Sequence, residues 1–378
     1  MDPITAAKAL LSGYKIWVLA PHIETSDPHI QYYYDFTQSI AEYTRVFSAW
    51  EAEWQWQPVT LDNFRNVIEG ISAETNEKKA LIINLCDGDE VNGAPGVSVI
   101  EELEVRGMIY TGADAHFYRI TTSKIPMKRA FDQAGVSHAA WELIQEDEKA
   151  LAGLTQRIGS PLIIKPAVSG GSMGVSVKNV VHTDEEVLQR VREMQGGYRG
   201  WNLQADGIFA EQFISGPEYT TFITGSADQP GFCRVYEPVK RVFHASLPET
   251  EQFLSFDRLW EIYEEETPMP GDAHFYEYAA AEPEIAEALK QLSLEAYAAC
   301  GGKGYTRIDI RQDHRTGRLF VLEANAQCGL SEDENYTSIG AILRQTGADF
   351  STLVLEIIQD AIRRQPVPQP IETTTVSA

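Results

Sequence analysis

Two short segments in the last third of the chain restrict its fold most strongly. Segments 305–311 and 319–325 both alternate apolar and polar residues, which is typical of strands that bury one face. Residues 313–317 between them are rich in turn-forming types, so the two strands are predicted to form a hairpin. A hairpin with alternating charges is often only a solvated ribbon, and the remainder of the chain must decide between that and a site.

The polar face of this hairpin carries a particular set of side chains. Arg307 and Asp309 share one face of the first strand, and Glu323 and Asn325 share one face of the second. Two carboxylates and a carboxamide are oxygen ligands of the kind that Mg²⁺ prefers when it also carries phosphates. Arg307 adds a cation beside them.

Composition limits the function classes. The 378 residues are 43% hydrophobic and carry a formal net charge of −24, which argues against a nucleic-acid partner. A local basic pocket for a nucleotide remains compatible with that charge. Neither a signal peptide nor a run of membrane-spanning length is recognisable, so we expect a cytoplasmic protein without a membrane partner.

The N-terminal part predicts a parallel α/β domain. Apolar runs at 15–20 and 80–85 are typical of buried strands, and polar segments 21–28 and 86–90 follow them. Ligands of such sheets lie at the carboxyl ends of the strands. Cys86 at one such end is predicted to be a packed thiol rather than a nucleophile, because no basic neighbour is visible to lower its pKa. An aromatic stretch with helical spacing, extending to about Gln55, is typical of a core or an oligomer face and suits a homodimer.

The middle of the chain suggests a phosphate site. A predicted strand ends in Lys165, and Ser169–Gly174 follows as a glycine-rich loop, with a second strand predicted at 175–178. The loop alone is a weak signal, but the lysine at the strand end strengthens it. Lys124 and Lys128 lie one helical turn apart upstream, a spacing that normally marks a solvated face.

Three further segments complete the pattern. Residues 207–223 predict a strand, a turn at Ser215-Gly216-Pro217 and a second strand, with Glu211 and Glu218 on either side of the turn. The long charged segment 239–267 is predicted to be a lid, because long loops in compact domains are usually functional or disordered. The tail 365–378 is rich in Pro and Thr and is predicted to be disordered.

The order of these motifs resembles the ATP-grasp superfamily, and most closely its D-alanine–D-alanine ligase-like branch. "Leu-Glu-Ala-Asn" after "Arg-Ile-Asp" is the most specific part, and the resemblance extends from about Gly96 to Arg364. It implies an N-terminal parallel α/β domain and two α+β subdomains that clamp ATP. The expected limits are 1–120, 121–210 with the glycine-rich loop, 211–364 with the metal site, and 365–378 for the tail.

The resemblance also implies a set of ATP-binding residues. Lys124 and Lys165 are implied to bind the phosphates, and Glu218 to bind the ribose. The implied loop over the triphosphate contains Ser169, Gly170, Gly171 and Ser172. The implied adenine edge is formed by Glu211, Phe213 and Ile214.

The residues implied in the reaction form a second set. The implied ligands of Mg²⁺, with Mn²⁺ as an alternative, are Asp309, Glu323 and Asn325, and the implied oxyanion-stabilising groups are Arg307 and the backbone of Gly329. The family's lid lysine on the γ-phosphate has no clear match; Arg258 is the nearest candidate, with Lys240 and Arg241 as alternatives. The implied reaction is phosphorylation of a carboxylate, followed by attack of an amine on the acyl phosphate.

The chain departs from the family in its substrate-binding motifs. The glycine-rich serine–glutamate motif expected after the first strand is replaced by residues 21–26, and Gly171 stands where a substrate-contacting serine is usual. Beyond Gly329, residues 331–336 are acidic where the family has a carboxylate-binding serine. An acidic cluster repels a free carboxylate, so the expected substrates are an amino-acid-like carboxylate and amine other than D-alanine.

Three functions remain open on the sequence. The first is an ATP-dependent carboxylate–amine ligase that makes an amide or peptide-like bond. The second is a catalytically idle ATP-binding regulatory protein, against which the intact 307–325 constellation counts. The third is an ATP-grasp enzyme with another acceptor, such as a thiol.

Overall fold

The N-terminal layer is a four-stranded parallel sheet. The structure, a computed structural model, describes residues 3–26, 31, 34–74, 77–145, 151–333 and 337–365, so most of the tail lies outside the described residues. The strands run in the order β2-β1-β3-β4, and their bounds are β1 Tyr14–Pro21, β2 Trp54–Val59, β3 Lys79–Asn84 and β4 Ile109–Tyr110. The accompanying helices are α1 Pro3–Leu11, α2 Thr37–Ala49, α3 Phe64–Ala73 and α4 Val97–Val105. The two predicted strands are thereby confirmed, and their neighbouring carboxyl ends open onto the same edge.

One expectation for this layer was wrong. Helix α2 ends at Ala49, and Trp54 and Trp56 lie on the edge strand β2 instead of on a continued helix. Phe47 packs against Trp54 with ring centroids 5.2 Å apart, and Trp50 is buried. The aromatic residues therefore fill the groove between α2 and the sheet, because a Glu51 turn reverses the chain between them.

The central part is an antiparallel sheet preceded by two helices. Helices α5 Ala115–Thr122 and α6 Lys124–Ala134 connect the N-terminal layer to it. The strands, in the order β5-β8-β6-β7, are β5 Trp141–Leu143, β6 Leu162–Pro166, β7 Val180–Val181 and β8 Ile208–Gln212. Helices α7 Leu154–Ile158 and α8 Asp184–Gln195 accompany this sheet. The strand predicted at 175–178 is absent; a 3₁₀ turn at Val177–Asn179 takes its place, and its Asn179 side chain donates to the carbonyls of Ile164 and Gly174.

The C-terminal part is built on a six-stranded antiparallel sheet. The order is β12-β11-β9-β13-β14, with β10 paired to β9. The strands are β9 Glu218–Thr224, β10 Arg234–Val235, β11 Val239–Phe243, β12 Tyr276–Ala280, β13 Tyr305–Gln312 and β14 Leu319–Ala326. The helices are α9 Phe256–Leu259, α10 Pro283–Ala299, α11 Ser338–Thr346 and α12 Phe350–Arg363.

The predicted hairpin is confirmed as β13 and β14. Arg307 pairs opposite Asn325 and Asp309 opposite Glu323, with a bulge after Asp309. The apolar faces of both strands, including Ile308 and Ala324, are buried against α10 and α6. Burial of that face fixes the register and leaves the polar face toward the central sheet.

The N-terminal layer and the C-terminal part share a core. Val18, Phe47, Phe222 and Phe350 belong to one buried cluster that joins α2, the parallel sheet, β9 and α12. This shared core places the carboxyl edge of the parallel sheet beside the β13–β14 hairpin. No helix in the described part of the chain is long and apolar enough to cross a membrane.

Candidate active site

A cavity of about 480 Å³ lies between the central sheet, the C-terminal sheet and the carboxyl edge of the N-terminal sheet. It collects every predicted site residue except one. Those that line it are Lys124, Lys165, Ser169, Gly170, Gly171, Ser172, Glu211, Phe213, Ile214, Glu218, Arg307, Asp309, Glu323, Asn325 and Gly329.

The exception is Arg258. It is 6% exposed and its guanidinium pairs with Glu251 and Glu266, at 2.6 and 3.2 Å, and lies over the ring of Phe275. Because two carboxylates of its own segment hold it, Arg258 does not line the cavity as the sequence predicted. It stabilises the segment between β11 and β12.

A buried ion-pair cluster forms one wall of the cavity. Glu211 is 1% exposed; Lys165 Nζ lies 3.0 Å from its Oε2, and Lys128 Nζ donates to its Oε1. Burial favours a higher pKa for Glu211, but the two lysines outweigh it and hold that pKa below its usual range. Lys128 was predicted to be solvated and is fully buried, because Glu211 on β8 reaches it from the far side.

The glycine-rich loop covers the same wall. Lys124 Nζ donates to the carbonyl of Ser169 at 3.1 Å, and the indole N–H of Trp260 donates to the carbonyl of Gly171 at 2.8 Å. Gly174 has a φ of +76°, and a Cβ there would lie 2.8 Å from Leu203. The segment after β11 contacts the loop through Trp260. The irregular loop predicted at 239–267 was wrong for its first five residues, which form strand β11, and the role of the remainder as a lid stays a prediction.

A second charged cluster surrounds Glu218, and the sequence did not predict its ion pairs. Its two carboxylate oxygens accept from Arg241 on β11 and Arg311 on β13, the residues opposite it in both neighbouring strands. Both arginines are 3% exposed, and Arg241 also donates to the Tyr278 hydroxyl at 3.0 Å. Burial and the neighbouring Arg241 lower the pKa of Arg311 to about 9. Arg311 follows Arg307 and Asp309 at spacing two, so strand alternation could have identified it.

The polar face of the hairpin forms the centre of the cavity. Arg307 Nε donates to Asp309 Oδ2 at 3.0 Å, and Lys124 Nζ lies 3.4 Å from Glu323 Oε2. Asn325 Nδ2 contacts both carboxylates at 3.2 and 3.3 Å. Burial favours a higher pKa for Glu323, but Lys124 and Arg307 outweigh it and lower the pKa to about 2.

This donor set fits a divalent metal that also binds phosphates. The described residues contain no group of three or more His, Cys, Asp or Glu suited to a metal. Mg²⁺ in nucleotide sites needs only one or two carboxylates, because phosphates and water fill its remaining positions. Asp309 and Glu323 are ionised acceptors, and a half-turn of the Asn325 carboxamide directs its oxygen to the same point.

The opposite end of the cavity is lined by residues of the N-terminal layer and α11. Tyr34, Phe36 and Asp87 come from the first, and Thr337 and Ser338 begin the helix of the second. Ser338 is 5% exposed and its hydroxyl has no hydrogen-bond partner among the described residues. The sequence analysis overlooked Ser338, although Thr337 before an apolar periodic run is a helix-start signal.

Of the three departures from the family, Gly171 lines the cavity, whereas residues 21–26 and the described residues 331–333 do not. His22 and Glu24 after β1 are exposed and do not line it. Glu332 pairs with Arg45 at 2.5 Å, and the Ser331 hydroxyl donates to Glu42 at 2.6 Å. Residues 334–336 of the acidic segment lie outside the described residues. The expected repulsion of a carboxylate by this segment is therefore not supported by its described part, because Arg45 neutralises Glu332.

Comparisons with known proteins identify the same region. The family described as D-ala D-ala ligase C-terminus matches residues 130–359. The D-alanine–D-alanine ligase of Xanthomonas axonopodis pv. citri is 26% identical over 284 residues, 74% of this chain and 78% of the relative. The enzyme of the same name from Halorhodospira halophila is 29% identical over 261 residues, 69% and 73% of the two chains.

Solved structures share the fold over nearly the whole chain. The ATP complex of D-alanine–D-alanine ligase from Bacillus anthracis has a TM-score of 0.59 at 16% identity and covers 92% of this chain and 97% of its own. The VanG D-Ala:D-Ser ligase from Enterococcus faecalis has a TM-score of 0.65 at 14% identity and covers 92% and 99%. At these identities the likeness shows the fold alone.

Proposed function

Because the chain belongs to the D-alanine–D-alanine ligase family and is an ATP-dependent ligase of the C–N bond-forming class, we propose that it phosphorylates one small carboxylate substrate and joins the resulting acyl phosphate to an amine. The product is an amide or peptide-like bond. Family membership carries the class of reaction, and the cavity supports the assignment of individual residues.

The charge at the nucleotide end of the cavity is the observation that carries this proposal. The whole chain is strongly acidic, yet this end has six cations against four carboxylates. The cations are Lys124, Lys128, Lys165, Arg241, Arg307 and Arg311, and the carboxylates are Glu211, Glu218, Asp309 and Glu323. A local excess of buried positive charge in an acidic protein is suited to a triphosphate, which stays anionic even with a divalent cation bound.

Each cluster has a separate task in the proposal. Lys124 and Lys165 neutralise the phosphates under the glycine-rich loop, while Lys128 keeps Glu211 charged and in place. Glu218 accepts from the ribose hydroxyls through the lone pairs that its two arginines leave free. Phe213 and Ile214 form the adenine edge.

We assign the γ-phosphate contact to Arg241, one of the alternatives named from the sequence, instead of Arg258. Arg241 lines the cavity and is held by Glu218 and Tyr278, whereas Arg258 is bound by its own segment. Its unpartnered Nε is a buried donor that a phosphate oxygen would satisfy.

At the reacting carboxyl, Arg307 and the backbone of Gly329 counter the charge that develops on the oxyanion. We propose Mg²⁺, held by Asp309, Glu323 and Asn325, as the divalent metal that neutralises the transferring phosphate when bound. Thr220 donates to Asp309 Oδ1 at 2.8 Å and so orients the carboxylate toward that position. Closure of Trp260 over the loop keeps water from the acyl phosphate.

The identity of the substrates is the most specific part of the proposal. We infer an amino-acid-like carboxylate and amine other than D-alanine. The support is the wall formed by Tyr34, Phe36 and Asp87, which combines two aromatic rings with a carboxylate that has no ion pair among the described residues. We also propose that the chain forms a homodimer through the edge of β2, which is an outer strand of its sheet. Sedimentation of the purified chain measures its oligomeric state.

A screen of carboxylate–amine pairs tests the function. ADP release and product mass are measured for amino-acid pairs that include D-alanine with itself. We expect ADP release that requires both substrates and a product lighter than their sum by one water. ATP binding without turnover in every pair would contradict the proposal and favour an idle nucleotide-binding protein, and the highest kcat/KM with D-alanine alone would contradict the substrate part.

A further inference from the structure

Asp87 presents an unpaired carboxylate to the substrate end of the cavity. It follows β3 at the carboxyl edge of the parallel sheet and lines the cavity. Within the described part of the chain its side chain has no ion pair and no hydrogen bond to another residue, whereas the other four carboxylates that line the cavity are all paired. A half-buried carboxylate without a partner is costly unless a ligand supplies one.

The backbone around Asp87 is held firmly. The Cys86 N–H donates to Asn84 Oδ1 at 3.1 Å, and the Gly88 N–H donates to the carbonyl of Pro95 at 2.9 Å. The Tyr118 hydroxyl donates to the carbonyl of Gly88 at 2.8 Å. A Cβ on Gly88 would overlap the carbonyl of Ala94, so only glycine permits this close approach. The carboxylate is therefore projected from a rigid segment and is not at the tip of a free loop.

Among the described residues, the titratable groups that interact with Asp87 offer no positive charge. They are Cys86 and Asp89 of the same strand end, Tyr118 of α5, Tyr305 of β13 and Cys328 after β14. Burial, with Asp89 nearby, raises the pKa of Asp87 to about 7. A cationic ligand would restore the ionised form and remove the cost of burying it.

We propose that Asp87 anchors an ammonium group of an amino-acid substrate, an inference that rests on the ligase function proposed above. Ser338, the first residue of α11, lines the same cavity, and its buried hydroxyl has no hydrogen-bond partner among the described residues. It adds a donor at a helix N-terminus, where anions bind. A carboxylate acceptor and a hydroxyl donor in one compartment match the two charges of an α-amino acid. Either substrate can supply the ammonium group; where the attacking substrate supplies it, the group must first give its proton to a base, for which the Asp87 carboxylate is the adjacent acceptor, before the neutral amine attacks.

The test compares Asp87→Asn with the wild type and with Asp62→Asn, a matched change at an exposed aspartate before α3. Each α-amino acid of a panel is compared with two analogues: the carboxylic acid that lacks its amino group and the amine that lacks its carboxyl group. Binding is measured by calorimetry in the presence of a non-hydrolysable ATP analogue, and KM is measured for both substrates separately. For Asp87→Asn we expect a 10- to 100-fold loss of amino-acid affinity, about the value of a charge-assisted hydrogen bond.

The affinity for the ATP analogue and the melting temperature should stay at the wild-type values, which shows that the variant folds. The wild-type preference for amino acids over their deamino analogues should also disappear. The KM that rises identifies whether the donor or the acceptor carries the ammonium group.

Unchanged amino-acid affinity in Asp87→Asn, or an equal loss in Asp62→Asn, would overturn the inference. Failure of the ligase function gives another result: wild-type protein would bind the ATP analogue and release no ADP with any pair. The calorimetric comparison of the two variants still decides the role of Asp87 in that case.

Discussion

The two ends of the cavity differ in how their polar groups are satisfied. At the nucleotide end, Glu211 and Glu218 are each held by two cations, and every one of these groups lies on a helix or strand. At the substrate end, the Ser338 hydroxyl has no hydrogen-bond partner among the described residues, and Asp87 has no ion pair with any of them.

The difference shows which part of the cavity has its polar side chains fixed in the absence of ligands. The charges of the nucleotide end are fixed by their own ion pairs, which suits a cosubstrate bound in one pose. The substrate end keeps free polar atoms whose partners must come from the substrate, so its residues determine selectivity at little cost to the fold.

The largest expected effect comes from removing the charge of Glu323, one of the carboxylates counted at the nucleotide end. Glu323→Gln should lower kcat by about 10³-fold, because a neutral amide no longer supports the metal or balances Lys124. Rates of ADP release at saturating ATP measure it. Glu295→Gln on the exposed face of α10 is the matched control and should leave kcat unchanged. Equal rates for both variants would refute the metal assignment.

Lys124 and Lys128 lie one turn apart on α6 and are expected to differ in their effects on stability and on catalysis. Lys128→Met leaves a buried partner of Glu211 missing, so we expect the free energy of unfolding to fall by about 3 kcal/mol. Lys124→Met, on the cavity side of the same helix, should change stability much less and lower kcat/KM for ATP. Denaturant unfolding and ADP release distinguish them. Similar losses in the free energy of unfolding for both variants would contradict the prediction, because they would show that the ion pair of Lys128 with Glu211 stabilises the fold no more than the cavity-side Lys124 does.

The substrate end should respond only in substrate affinity. Ser338→Ala is expected to raise the KM of one substrate by about tenfold, the value of a hydrogen bond to a charged group. The KM for ATP should not change, because Ser338 lies at the opposite end of the cavity. Ser12→Ala at the exposed end of α1 is the control. A rise in the KM for ATP instead would show that the two ends are not separate.

The sequence identified most residues that line the nucleotide end because their signals are local. Alternation within each of two strands identified Arg307, Asp309, Glu323 and Asn325, and a glycine-rich stretch identified the loop. The sequence could not predict which charges are buried together. Lys128 looked solvated because its partner Glu211 is 83 residues away.

Long-range pairing also explains why the ion pairs of Glu218 were not predicted, although alternation along β13 could have identified Arg311 itself. Arg241 and Arg311 meet that carboxylate because β11 and β13 flank β9, and strand order is not visible in a local pattern. Arg258 was chosen instead for its position in the charged loop, where Glu251 and Glu266 proved to be its partners. At the substrate end, Asp87 and Ser338 come together only through the shared core of the N-terminal and C-terminal parts.

The smallest expected effect concerns closure of the nucleotide end. Trp260→Phe keeps the ring over the glycine-rich loop but removes the N–H that donates to the carbonyl of Gly171. We expect the KM for ATP to rise about threefold, in line with a single neutral hydrogen bond, with the substrate KM values unchanged. Trp141→Phe loses a comparable indole hydrogen bond, to Asp132, outside the cavity and should leave the KM for ATP unaltered. If both variants behave alike, the segment after β11 closes through its apolar contacts and ion pairs alone, and the nucleotide end owes its order to the buried clusters rather than to this lid.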